Sequence, residues 1–162
     1  MKILVISDTH GHNKNVEEVL RRVKPIDMLI HCGDVEGCER HIQELAECPC
    51  HFVKGNNDYF SDLPGEKIFN IGRYKVMVTH GHRYGVSMNT AMLEEEARSR
   101  KADIVMFGHT HRPYLAQRAG LTLLNPGSLS YPRQEGREPS YLMMTIEKNG
   151  EAYYSQIYLK RW

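Results

Sequence analysis

Lys2-Ile3-Leu4-Val5-Ile6-Ser7-Asp8-Thr9-His10 begins as an apolar, strand-like run and ends on a carboxylate and an imidazole. In an extended backbone, residues two apart point to the same side, so Asp8 and His10 are expected to converge on one ion while Thr9 faces away. Alone the triplet reads equally as a helix-capping carboxylate beside a surface histidine. Its company changes the balance. His10-Gly11-His12, His80-Gly81-His82 and His109-Thr110-His111 hold six of the nine histidines. Each follows a strand-like run: Ile3 to Ile6, Lys75 to Val78, and Ile104 to Phe107.

Outward from that stretch, Asn13 is placed to cap a helix whose Val16, Val19, Leu20 and Val23 recur at helical spacing, with Pro25 stopping it. Asp27 to Cys32 is a second apolar run ending at Gly33-Asp34. A helix over about Cys38 to Glu47 turns Ile42 and Leu45 to one side, and His51-Phe52-Val53 ends at Gly55-Asn56-Asn57-Asp58. Strands alternating with helices of this length predict βαβ units and a mostly parallel sheet, with sites beyond the carboxyl ends of the strands.

From Glu66 the pattern becomes short alternating runs, Lys67 to Ile71 and Tyr74 to Thr79, joined by a turn at Gly72-Arg73. A helix over Asn89 to about Lys101 has Met92, Leu93 and Ala97 as its inward residues and Glu94 to Glu96 in solvent. Ile104 to Phe107 reads as a buried strand. Tyr114 to Arg118, Leu121 to Leu124, Tyr141 to Glu147 and Ala152 to Leu159 read as antiparallel strands, so a second sheet is expected to follow the first. There is no internal repeat or low-complexity tract, and Gln134 to Pro139 is the candidate mobile loop.

The 162 residues fit one domain, 1–162, able to bury about two-thirds of the unfolded surface. A hydrophobic fraction of 41% with 25% charged residues argues against a membrane span. Met1 leads straight into the first strand and leaves no room for a signal peptide, which points to the cytoplasm. A formal net charge of +1 gives no broad field for wrapping nucleic acid and leaves a small anionic substrate open. Cys32, Cys38, Cys48 and Cys50 lack Cys-x-x-Cys spacing and read as reduced thiols, with Cys48-Pro49-Cys50 as an alternative soft-metal or redox pair.

The polar residues at the strand ends are Asp8, His10, Asp34, Asn56, His80, His109 and His111. Carboxylate, imidazole and amide oxygens suit borderline to hard divalent ions, Mn, Ni, Fe or Zn, and no thiolate in the set demands a soft one. Gly11, Gly33, Gly55, Gly81 and Gly108 stand beside them, where a missing Cβ permits tight turns and close approach. Singly, Gly33-Asp34 and Asn56-Asn57-Asp58 read as turns.

Together, Asp8-x-His10, Gly33-Asp34, Gly55-Asn56-x-Asp58, His80-Gly81-His82 and Gly108-His109-x-His111 resemble the calcineurin-like metallophosphoesterase superfamily, in the family's order. Asn125-Pro126-Gly127-Ser128 resembles a block of its small bacterial and archaeal phosphodiesterases, the YfcE type. The resemblance implies an α/β fold, a four-layer αββα sandwich of two mixed β-sheets flanked by helices. It also implies two divalent ions, Mn foremost: Asp8, His10, Asp34 and His111 around one, with Asp34 bridging to a second held by Asn56, His80 and His109. Loss of Asp8 should then spare part of the second site. Two ions about 3.5 to 4 Å apart can share a hydroxide that attacks phosphorus in line, which gives Asp34, Asn56 and His109 their catalytic weight.

Many family members carry a proton-donating histidine where this chain has Asn57, and an amide cannot act as an acid. The general acid is therefore open, with His12 one candidate, and good leaving groups are expected. Asp58 reads as a carboxylate orienting the loop behind the ligands. His12 and His82 read as surface or supporting residues, Arg112 as a charge-offsetting or simply solvated one, and Tyr84, Tyr131 and Trp162 as packing or surface residues. The expected activity is hydrolysis of a small phosphodiester, with self-association left open. The alternatives are a catalytically weak protein-binding scaffold like the retromer subunit related to this family, and a nucleotide phosphomonoesterase.

Overall fold

The computed structural model describes residues 1–160, so Trp162 lies outside the described residues. The chain runs β1 (Lys2–Ile6), α1 (Lys14–Val23), β2 (Met28–His31), α2 (Glu39–Ala46), β3 (Cys50–Phe52), β4 (Glu66–Ile71) and β5 (Tyr74–Thr79). A short 3-10 turn (His82–Tyr84), α3 (Ala91–Ser99), β6 (Ile104–Met106), β7 (Pro113–Arg118), β8 (Leu121–Pro126), β9 (Ser140–Ile146) and β10 (Ala152–Tyr158) follow. They form two five-stranded mixed sheets, ordered β10-β9-β1-β2-β3 and β4-β5-β6-β8-β7.

Side-chain alternation builds the layers. Along β1, Leu4 and Ile6 pack under α1 and α2 with Val16, Val19, Leu20 and Ile42. Ile3 and Val5 face the opposite way, into a core shared with Val76, Val78, Ile104 and Met106 of the second sheet. The far side of that sheet uses Met77, Val105 and Leu123 to hold Leu93 and Ala97 of α3. Helix, sheet, sheet and helix thus make the αββα sandwich. β1, β2 and β3 are parallel neighbours, as are β5, β6 and β8, so within each sheet these strands release their following loops at one edge.

Three sequence expectations change. The last two strands do not extend the second sheet: β9 pairs antiparallel with β1, and β10 with β9. Tyr141 and Met143 pack with the helices and Leu142 and Met144 between the sheets, so β9 is buried on both faces and takes an interior position. Met92 is 58% exposed while Leu93 and Ala97 carry the inward face of α3. Asn13 makes no side-chain cap, and only its carbonyl accepts the Glu17 N–H.

Candidate metal centre

β1 ends at Ile6, and the chain does not stay extended beyond it. Asp8 and His10 have φ of 53° and 47°, and Asp34, His109 and His111 have 56°, 70° and 56°. Left-handed backbone is uncommon outside glycine, and Asp and His are among the residues that tolerate it best. The expected extended Asp8-x-His10 is therefore corrected: the pair converges through two left-handed residues. The Asp8 N–H donates to the Gly33 carbonyl at 3.0 Å and the His10 N–H to the Asp34 carbonyl at 2.9 Å, which locks the loops after β1 and β2 together.

Two glycines are required by close approach. A Cβ at Gly55 would sit 2.1 Å from Asp34 Oδ1, and one at Gly108 would sit 2.1 Å from Ser7 Oγ and 2.8 Å from Asp8 Oδ2.

All seven expected ligand residues meet. Asp8 Oδ1 lies 3.2 Å from His111 Nε2, 3.9 Å from His10 Nε2 and 3.8 Å from His80 Nε2. Asp34 Oδ2 stands 3.8 Å from His10 Nε2 and 3.4 Å from His80 Nε2. Asn56 Oδ1 is 3.0 Å from His80 Nε2 and 2.9 Å from His109 Nδ1. Asp8, His10 and His111 thus bring ligand atoms within 4.8 Å of one another, and so do Asp8, Asp34 and His80.

The hydrogen bonds leave these atoms facing each other as lone pairs. His80 Nδ1 donates to the Cys32 carbonyl, His111 Nδ1 to the Tyr131 carbonyl and His10 Nδ1 to Glu36, each at 2.7 Å. A neutral imidazole, the form that binds a metal, carries one N–H, so each Nε2 would then be an acceptor turned inward. Asp8 Oδ2 accepts from the Ser7 hydroxyl at 2.6 Å and the His109 N–H at 3.1 Å, whereas Asp8 Oδ1 is buried with no hydrogen-bond partner. An orphaned carboxylate oxygen ringed by imidazole lone pairs is a cradle for a cation, and outward N–H bonds are what orient metal-binding histidines.

The electrostatics agree. Burial works to raise the pKa of Asp34 and Asp8, yet both stay below the ordinary carboxylate range: His80 and Asn57 stabilise the first charge, and His111 and His80 the second. Burial likewise opposes charge on His80, but Asp34 and Asp8 raise its pKa. His109 is pushed down by burial and by His80. Two ionised carboxylates at one buried spot draw positive charge toward it.

Asp58 Oδ2 accepts the backbone N–H groups of Asp34 (2.9 Å) and Gly55 (2.7 Å), and Oδ1 that of Glu36 (2.7 Å), fixing the ligand loops from behind. Asn57 donates its backbone N–H to Asp34 Oδ1 at 2.8 Å and its side-chain amide to Oδ2 at 2.7 Å, a contact that spacing alone did not suggest. Ser128 Oγ donates to the Asp8 carbonyl at 2.7 Å, and Asn125 Nδ2 to the Gly108 carbonyl at 2.9 Å, which gives the 125–128 block a supporting task. Thr9 turns away and meets His31 Nε2 at 2.9 Å. His12 pairs with the Tyr131 hydroxyl at 2.8 Å, and His82 lies beside His80 and His109 with ring centroids 5.4 and 6.0 Å away. Neither enters the two ligand groups.

Tyr131, Arg133 and Arg137 went unsingled in the sequence as site residues, because their segment has no strand or helix period. They line a cleft of about 730 Å³ with His10, His111, Asn57 and Arg112. Among the described residues no helix is long and apolar enough to cross a membrane.

The profile of the calcineurin-like phosphoesterase superfamily domain matches residues 1–149. A probable metallophosphoesterase of Bacillus subtilis is 35% identical over 159 residues, covering 96% of this chain and 92% of that protein. A phosphodiesterase of Methanocaldococcus jannaschii is 29% identical over 145 residues, 78% of this chain and 83% of that one. A crystal structure of a predicted phosphoesterase from Streptococcus pneumoniae superimposes with a TM-score of 0.80 at 31% identity, covering 98% of this chain and 97% of the other.

Proposed function

The chain belongs to the calcineurin-like phosphoesterase superfamily, and from that premise we propose that it hydrolyses small phosphodiesters with a pair of divalent ions, manganese foremost. It is a metal-dependent phosphoester hydrolase. The observation that carries the ligand assignment is Asp8 Oδ1, buried without a partner among the Nε2 atoms of His10, His80 and His111. In this reading Asp8, His10, Asp34 and His111 hold one ion, and Asp34, Asn56, His80 and His109 hold the other. The approach of Asp34 Oδ2 to both His10 and His80 supports Asp34 as the residue the two ions would share. When bound, the ions supply Lewis acidity and activate water as the nucleophile.

The chain's own residues do the rest. Asn57 keeps both Asp34 oxygens oriented through its two N–H bonds. Asp58 holds the backbone of Asp34, Glu36 and Gly55. No proton donor stands at position 57, which favours esters whose alcohol departs without one and diesters such as the Methanocaldococcus relative's name denotes. His82 is a poor substitute, since burial and the neighbouring His80 lower its pKa and so disfavour the protonated form that would have to donate. The scaffold alternative is disfavoured by a complete donor set: seven polar groups gathered from the loops of both sheets would strand charge without a task. Function as one domain, 1–162, on small substrates in the cytoplasm completes the proposal.

The test is to strip the protein, reload it with Mn, Ni or Zn, count bound metal, and assay bis(p-nitrophenyl) phosphate beside the monoester for wild type and His109→Ala. Two ions per chain and faster diester hydrolysis by wild type are expected. Fewer than two at saturation, with wild type no faster than the variant, overturns the reading, and a monoester preference favours the phosphomonoesterase alternative.

A further inference from the structure

We infer that the cleft beside the metal centre reads a second phosphoryl group on the substrate, through Arg112, Arg133 and Arg137. The inference rests on the phosphodiesterase reading and names its substrate class. Arg112, Arg133 and Arg137 line one cleft with His10, His111 and Asn57, and no acidic residue lines it. The protein as a whole carries a net charge of only +1, so this is a local concentration of charge. Among the described residues the arginines in ion pairs are Arg21, Arg22, Arg40, Arg100 and Arg118, which leaves the three in the cleft without acidic partners.

The cleft wall is tied to the ligand residues. The Arg133 N–H donates to the His111 carbonyl at 2.9 Å, and His111 Nδ1 donates to the Tyr131 carbonyl at 2.7 Å. Ser128 Oγ accepts the N–H groups of Ser130 (3.1 Å) and Tyr131 (2.8 Å) while donating to the Asp8 carbonyl at 2.7 Å. Arg112 directly follows His111. A diester with its scissile phosphorus beside His10 and His111 would extend one substituent along this wall, whose arginines carry planar, permanently charged forks. Those forks match phosphate oxygens two at a time. A neutral substituent would leave them unused. The substrate class is a phosphodiester with a further phosphate on one of its esterified alcohols, whether a nucleotide or a phosphorylated sugar.

Two matched probes differ only in that group: thymidine 5′-(p-nitrophenyl phosphate) and its 3′-phosphorylated counterpart. On the metal-loaded protein the 3′-phosphate should raise kcat/KM about tenfold or more, mainly through KM. Arg133→Gln with Arg137→Gln should bring the ratio to within about twofold, while Arg40→Gln, the same change at an exposed arginine of α2 that does not line the cleft, should keep it. Calorimetry on the metal-free protein gives a second readout, in which thymidine 3′,5′-bisphosphate should bind more tightly than thymidine 5′-monophosphate in wild type but not in the double variant. Equal binding of the two nucleotides, or a wild-type preference that survives the double variant, overturns the inference. Failure to hydrolyse bis(p-nitrophenyl) phosphate instead overturns the phosphodiesterase reading, and the calorimetric comparison still decides on the second phosphate.

Discussion

Asp58 touches no expected ligand atom, yet it accepts backbone N–H bonds from three residues of the two loops that carry Asp34 and Asn56. A buried, charged acceptor serving several donors is expensive to remove, because each donor is left unpaired. Asp58→Ala is expected to lose about 3 kcal/mol in urea unfolding and to weaken metal retention; an unchanged midpoint would refute this. Gly55→Ala tests position more sharply, since the added methyl meets Asp34 Oδ1 at 2.1 Å. Displacing that carboxylate by a fraction of an ångström should lower kcat/KM about a hundredfold in steady-state assays of the metal-loaded protein. Asn57→His sets two effects against each other, a gained proton donor and a lost amide bond to Asp34. The ratio of alkyl to aryl diester turnover should rise about tenfold, and no change in it would show that position 57 is not limiting.

At the scale of elements, α3 separates period from burial. Met92 and Leu93 are adjacent apolar residues, but Met92 is 58% exposed and Leu93 fully buried against the second sheet. Leu93→Ala should therefore cost about 2–4 kcal/mol and Met92→Ala no more than about 0.5 kcal/mol, read from denaturant midpoints. The sequence put both inward because the spacing of Met92, Leu93 and Ala97 admits either edge of the apolar face, and only the sheet beneath selects one. β9 teaches the same lesson. Its apolar run is legible in Tyr141 to Ile146, but nothing local states that β1, some 140 residues earlier, is its partner. Strand pairing is settled by which open edge can bury both faces. The capping of α1 shows the limit at single residues: Asn13 stands at the right place and its side chain does not cap.

For the whole molecule, the buried layer behind the centre makes stability depend on pH. His31 is fully buried, its Nδ1 accepts the Gly33 N–H at 3.2 Å, and its Nε2–H is left to donate to Thr9 Oγ1. Burial pushes its pKa from an ordinary 6.5 to about 4. Between those values the unfolded chain binds a proton that the folded chain refuses, so this contribution is full above pH 6.5 and is lost as pH falls to 4. In metal-free protein it should amount to about 3 kcal/mol, seen as the difference in pH dependence between wild type and His31→Gln. By itself the sequence determined the strand, loop and helix alternation, the family, and which residue types could hold divalent ions, because apolar period and ligand chemistry are written locally. The tertiary structure alone decided that Asp8 and His10 converge through left-handed rather than extended backbone. It alone returned β9 and β10 to the first sheet and set Arg112, Arg133 and Arg137 around one cleft. Loop backbone and long-range pairing are fixed by hydrogen bonds and burial between segments far apart in the chain, and no local pattern of residues encodes those.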